Sequence, residues 1–144
     1  GMYERVYEIG RDFRNEGVSY KHNPEFTQLE LYCAYTDLYG IMETVEQMLS
    51  YTVQRVLGTT SLTYKGNEID LTPPWRRVTL RELIHTHTGI NYVDYPNAHV
   101  LREEMRKRGY DAASDASWGH LVDNLLSEAE PTLIQPTFVH DYPI

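Results

Sequence analysis

The sequence predicts an α+β domain: part of an antiparallel sheet with flanking helices and a helical insertion. Three observations carry that reading. Residues 3–14 and 26–37 alternate with a period of two, residues 38–57 repeat apolar side chains at helical spacing, and residues 90–130 turn charged and helical. The chain has 144 residues, enough for one domain with a core of its own.

In the first strand the odd positions Tyr3, Tyr7, Ile9 and Phe13 are apolar, with Arg5 and Arg11 as exceptions, while Glu4, Glu8, Gly10, Asp12 and Arg14 are not, with Val6 breaking the rule. In the second, Thr27, Leu29, Leu31, Cys33 and Tyr35 oppose Phe26, Gln28, Glu30, Tyr32 and Thr36. The odd face is expected against a core, with helices packed on it. Asn15 to Glu25 is too long for a tight turn, and a long loop between two good strands points to function. A helix is expected over 38–57, its apolar stripe built on Leu38, Ile41, Met42, Val45 and Leu49, with Glu43, Glu46 and Gln47 facing solvent and Gly58 as the stop.

A short hairpin follows over 61–71 around Lys65-Gly66-Asn67, and Pro73-Pro74 excludes regular structure beyond it. Thr79 and Glu82 have capping-box spacing, opening a short helix to about His87 that Gly89 closes. The insertion, about 90–130, reads as two surface helices, Asn97 to Arg108 and Ser117 to Ala129. A final strand is expected over 133–139, with Pro136 at an edge or bulge.

Composition narrows the function classes. The formal net charge is -8, with 13 basic against 21 acidic residues, so a broad RNA-binding surface is not expected and any contact with a polyanion would be local. Cys33 is the only cysteine, which excludes an intrachain disulfide and a cysteine-based zinc site. His85-Thr86-His87 has no third ligand spaced to join it, so no metal-site residue is expected. No apolar run approaches the roughly 20 residues that span a bilayer, so the expectation is a soluble, cytoplasmic protein without a membrane partner.

The even face of the two strands gathers the chemistry: Glu8, Gly10, Asp12 and Arg14 beside Phe26, Gln28, Glu30 and Tyr32. Two readings fit. One is an ordinary hairpin with a wet face, as antiparallel sheets often have. The other is a pocket floor for an anionic, ring-bearing ligand plus a cation, with Glu30 and Tyr32 holding the cation. The loop adds Glu16, Lys21, His22 and Asn23, which suit phosphates and a polar heterocycle.

The run from Phe13-Arg14-Asn15-Glu16 through His22-Asn23-Pro24-Glu25-Phe26-Thr27 to Glu30-Leu31-Tyr32 resembles motif 2 of the class II aminoacyl-tRNA synthetases, in the wording of the lysyl members. Residues 7–37 carry most of the match, and Leu133 to Tyr142 resembles another strand of the same catalytic domain. The resemblance implies a partial class II catalytic fold over 1–144, with the motif 2 hairpin at about 3–37. It implies that Arg14 is catalytic, bridging the amino-acid carboxylate and the ATP α-phosphate. It also implies that Glu16 and Asn23 serve the adenine, His22 the γ-phosphate and Phe26 the adenine ring. Arg14, Glu30 and Tyr32 would bind lysine.

The implied reaction is activation of lysine by ATP to lysyl-adenylate, then transfer to lysine tRNA, in an enzyme expected to be a homodimer. Magnesium is expected for the parent, with its ligands outside this chain. Motifs 1 and 3 are expected before Gly1 and after Ile144, so the isolated chain is expected to lack lysine-dependent ATP–pyrophosphate exchange. Two other readings are weighed. A paralogue that lysylates a translation elongation factor resembles the hairpin but departs in the loop, and it lacks a stretch like 90–130. A non-catalytic binding or assembly module is the third.

Overall fold

A computed structural model describes residues 2–15, 17–19 and 22–143. The chain divides into two compact units, Gly1–Thr44 and Val45–Ile144. Six strands and four α-helices alternate along the described residues in a mixed α and β architecture.

The first unit is built on a hairpin of β1 (Arg5–Phe13) and β2 (Glu25–Cys33), paired antiparallel. The register sets Glu8 against Glu30, Gly10 against Gln28 and Asp12 against Phe26, so even positions share one face and odd positions the other. Within this unit by itself the odd face is open. Tyr7 is 75% exposed, Ile9 65% and Phe13 69%. The more sheltered positions of β2 include Phe26, Gln28 and Glu30, on the even face. Alternation fixes which side chains share a face; it does not supply the layer that would cover them.

The helix α1 (Leu38–Leu57) runs through the boundary between the units. The buried stripe of α1 is Met42, Glu46 and Ser50, whereas Leu38 and Leu49 of the expected apolar stripe are exposed. Glu46 corrects the sequence reading most sharply. It was expected in solvent, yet it is 3% exposed. Its carboxylate accepts from the Trp75 amide at 3.0 Å and from Arg77 Nη2 at 3.1 Å. The Arg77 guanidinium lies over the Phe138 ring, 5.7 Å from its centre, and Phe138 stacks on Trp75. Burial of a charge is tolerated here because a cation and a backbone donor satisfy it.

In the second unit β3 (Ser61–Tyr64) and β4 (Asn67–Asp70) form a short antiparallel hairpin. A further strand that the sequence reading missed, β5 (Arg76–Thr79), pairs in parallel with β6 (Thr137–His140). The last strand thus begins four residues later than expected and belongs to a parallel pair, not to an antiparallel sheet. Gln135 precedes it as a bracket to β4, accepting from the Asp70 amide at 3.1 Å and donating to Glu68 O at 2.8 Å.

The core sits among α2 (Leu80–Thr88), α3 (Ala98–Lys107) and α4 (Trp118–Ala129). Leu83, Ile84, Leu101, Met105, Leu121 and Leu125 are essentially inaccessible. Helices α3 and α4 were expected at the surface, yet they carry much of this core. Their charged face is also less idle than expected. Arg102 donates to the carbonyls of Ala113 and Ala116, and Arg106 to that of Ala112, tying the connecting segment to α3. Trp118 Nε1 donates to Tyr95 O at 2.7 Å. No helix among the described residues is long and apolar enough to cross a membrane.

Thr79 caps α2 through a complete capping box. Its hydroxyl accepts from the Glu82 amide at 3.1 Å, and the Glu82 carboxylate accepts from the Thr79 amide at 3.2 Å. Gly89 ends the helix in the left-handed region, φ 71°, where a side chain would be strained. Thr79→Ala is expected to destabilise the chain by about 1 kcal/mol, read from chemical unfolding at neutral pH. The hydrogen bonds from Thr79, backbone first, hold the Glu82 carboxyl below its ordinary range. A depressed folded-state pKa contributes stability above the unfolded value and loses it as pH falls through the folded one. The gap between wild type and variant is therefore expected to narrow in acid.

Candidate functional site

The even face of the β1–β2 hairpin is the candidate site. Gly10 opens it: a Cβ built there would meet nothing within 4 Å. Beside that gap lies a depression of about 210 Å³ lined by Glu8, Gly10, Arg11, Asp12, Gln28 and Glu30. Three of its side chains are carboxylates, and Glu8 stands directly across from Glu30. Like charges so placed oppose strand pairing, which is an unusual choice for a face with no other task.

Glu30 is fixed at both oxygens. Gln28 Nε2 donates to Oε1 at 2.9 Å, and the Tyr32 hydroxyl donates to Oε2 at 3.2 Å. Residues 28, 30 and 32 share a strand face, so the three groups line up along β2. The bond to Glu30 and then its charge raise the Tyr32 hydroxyl pKa above its ordinary value, with a lesser push from Glu8. Tyr32 therefore stays protonated and keeps donating through the neutral range.

Arg14 lies just past β1, where its amide donates to Pro24 O at 2.9 Å and extends the pairing into the loop. Its guanidinium carbon lies 5.3 Å from the centre of the Phe26 ring, so a planar cation and an aromatic ring meet at one end of the face. Arg11 pairs with Glu25, leaving Arg14 as the arginine at the ring end of the even face. Within the loop, Ser19 and His22 exchange backbone bonds of 2.9 and 3.3 Å, and Ser19 Oγ lies 3.0 Å from His22 Nδ1. His22 and Asn23 are exposed beside the mouth of the hairpin. Glu16 lies outside the described residues.

Known proteins match the chain over its whole length. Residues 1–144 match the family described as tRNA synthetases class II (D, K and N). The chain belongs to the class II tRNA synthetases.

Curated relatives of this synthetase chain are similar across its whole length. It is 51% identical over 146 aligned residues to a lysine–tRNA ligase of Synechococcus sp. (strain CC9605). It is 47% identical to that of Clostridium acetobutylicum and 46% identical to that of Moorella thermoacetica. In each case all of this chain is covered, but it spans only 29–30% of the relative's length.

One member of the class II face escaped the sequence reading as a site residue. Gln28 was placed on the even face by parity, but the bond that ties it to Glu30 was not foreseen. Its signal was an amide two residues before a carboxylate on the same side of a strand. A larger cavity, about 590 Å³, lies in the second unit and is lined by Arg81, Glu82, His85, Asn91, Tyr92 and Asp141 among others. Its charges are of both signs and hold structure together, Arg81 on Asn91 at 2.8 Å and Glu82 in the capping box.

Proposed function

We propose that this chain is the motif 2 part of a lysine–tRNA ligase, which activates lysine with ATP and passes it to lysine tRNA. The observation that carries the reading is whole-length similarity, at about half identity, to proteins named lysine–tRNA ligase. The chemistry of the even face supports it. Arg14 bridges the lysine carboxylate and the ATP α-phosphate, stabilising charge as a carboxylate oxygen bonds to phosphorus and the bond to pyrophosphate breaks. Phe26 stacks on the adenine, Glu16 and Asn23 define its edge, and His22 meets the γ-phosphate. Glu30 and Tyr32 receive the side-chain ammonium, the carboxylate with charge and the phenol oxygen as acceptor.

No protein nucleophile is needed, because positioning and electrostatics carry this step. Magnesium is expected for the parent, but among the described residues no three His, Cys, Asp or Glu groups converge to hold a metal. These residues do not fit that ion. We place the parent in the cytoplasm as a homodimer, by the same family reading. The full-length polypeptide carrying this segment is expected to show ATP–pyrophosphate exchange that depends on lysine and to charge lysine tRNA. Exchange that another amino acid supports equally well would replace the substrate. Lysylation of an elongation factor with no charging of tRNA would favour the paralogue, and no exchange at all a binding module.

A further inference from the structure

Among the polar groups of the even face that the proposed roles leave without a task, Gln28 is the one tied directly to Glu30. Gln28 sits opposite Gly10, between Phe26 and Glu30 along the same face. Its amide nitrogen is spent on Glu30 Oε1 at 2.9 Å. Its carbonyl oxygen is buried and accepts no hydrogen bond from the described residues. A buried acceptor without a donor costs stability, and an apolar side chain of the same length would avoid that cost.

What the amide supplies in return is orientation. Glu8 faces Glu30 directly, and the repulsion between two carboxylates would drive the Glu30 side chain aside. Gln28 holds one oxygen and Tyr32 the other, so the carboxylate plane is fixed from both sides. An ammonium ion offers three donors in a compact head, and a carboxylate fixed in place sets how far along the pocket that head must reach.

We propose that Gln28 is a positioning residue for the amino-acid pocket, its amide N–H fixing Glu30 to receive a primary ammonium on a four-carbon stem. This rests on the reading of Glu30 and Tyr32 as the lysine pocket. Gln28 touches Glu30 and acts on the substrate through it.

The test is Gln28→Met in the full-length ligase, which keeps side-chain length and removes both the donor and the orphaned acceptor. In lysine-dependent ATP–pyrophosphate exchange, KM for lysine is expected to rise about tenfold. KM for ATP and kcat are expected within twofold of wild type, and the preference for lysine over the one-carbon-shorter ornithine should shrink. The melting temperature should hold or rise, since the unpaired oxygen is gone. An unchanged lysine KM in a variant of an active wild type overturns the inference and leaves the function standing. A fall in melting temperature with parallel losses for lysine and ATP makes Gln28 a structural residue and also overturns it. A wild-type enzyme with no lysine-dependent exchange overturns the proposed function first, and this inference with it.

Discussion

Arg14→Ala in the full-length ligase proposed above is expected to cut lysine-dependent ATP–pyrophosphate exchange by about 10²–10³-fold, the usual loss for one donor to transition-state charge. The guanidinium is exposed at the end of β1, and its contact is the Phe26 ring at 5.3 Å. An exposed cation–π contact is worth about 0.5–1 kcal/mol, so the fold should barely register the substitution. Activity and stability are therefore predicted to separate. Exchange falls by orders of magnitude while the unfolding midpoint moves little. Arg14→Lys keeps the charge but loses the planar fork that meets two oxygens at once, so it should recover only part of the rate. A loss under tenfold for alanine would remove Arg14 from the transition state and leave it a packing partner of Phe26.

The second large effect concerns the fold. Glu46→Ala is expected to destabilise the 144-residue chain by about 3 kcal/mol, near the low end for breaking a buried ion pair. The loss stays at that low end because the Arg77 side chain keeps 25% exposure and can recover some hydration, whereas the Glu46 side chain keeps only 4%. The variant strips Arg77 of its counter-charge and leaves the Trp75 amide without its acceptor. Glu46→Gln retains an amide oxygen for one of those donors and should lose about half as much. Urea unfolding reads both variants. A change within about 0.5 kcal/mol for alanine would place Glu46 in the class of ordinary surface substitutions.

Local chemistry was the legible part of this fold. The Thr79–Glu82 box and the Gly89 stop are settled within a single turn of chain, and α2 begins and ends on them. The face on which each hairpin residue falls was also legible, since a period of two leaves one choice. Glu46 was not, because its partners stand 29 and 31 residues away and a helical wheel treats every glutamate as polar. The strand β5 was hidden for a similar reason. Arg76-Arg77 reads as charged surface until β6 and Glu46 are brought to it.

In the site, parity brought together Arg14, Phe26, Glu30 and Tyr32, yet it could not say which oxygen of Glu30 each neighbour would hold. The roles given to Glu16, His22 and Asn23 come from the motif resemblance, since short polar loop residues carry no periodicity to read.

The parallel pairing of β5 with β6 joins two strands that are far apart in sequence. Residues 80–136, with all of α2, α3 and α4, lie between the two strands. Neither strand, at four residues each, can hold the other until that intervening chain has folded back on itself. The helices, made of near-neighbour contacts, can condense first around Leu83, Leu101 and Leu125. Only then do Thr79 and His140 come into register. The same pairing sets Phe138 under the Arg77 guanidinium that neutralises Glu46. The strand pair is thus the most non-local strand pairing of the second unit, the kind whose closure entropy slows folding.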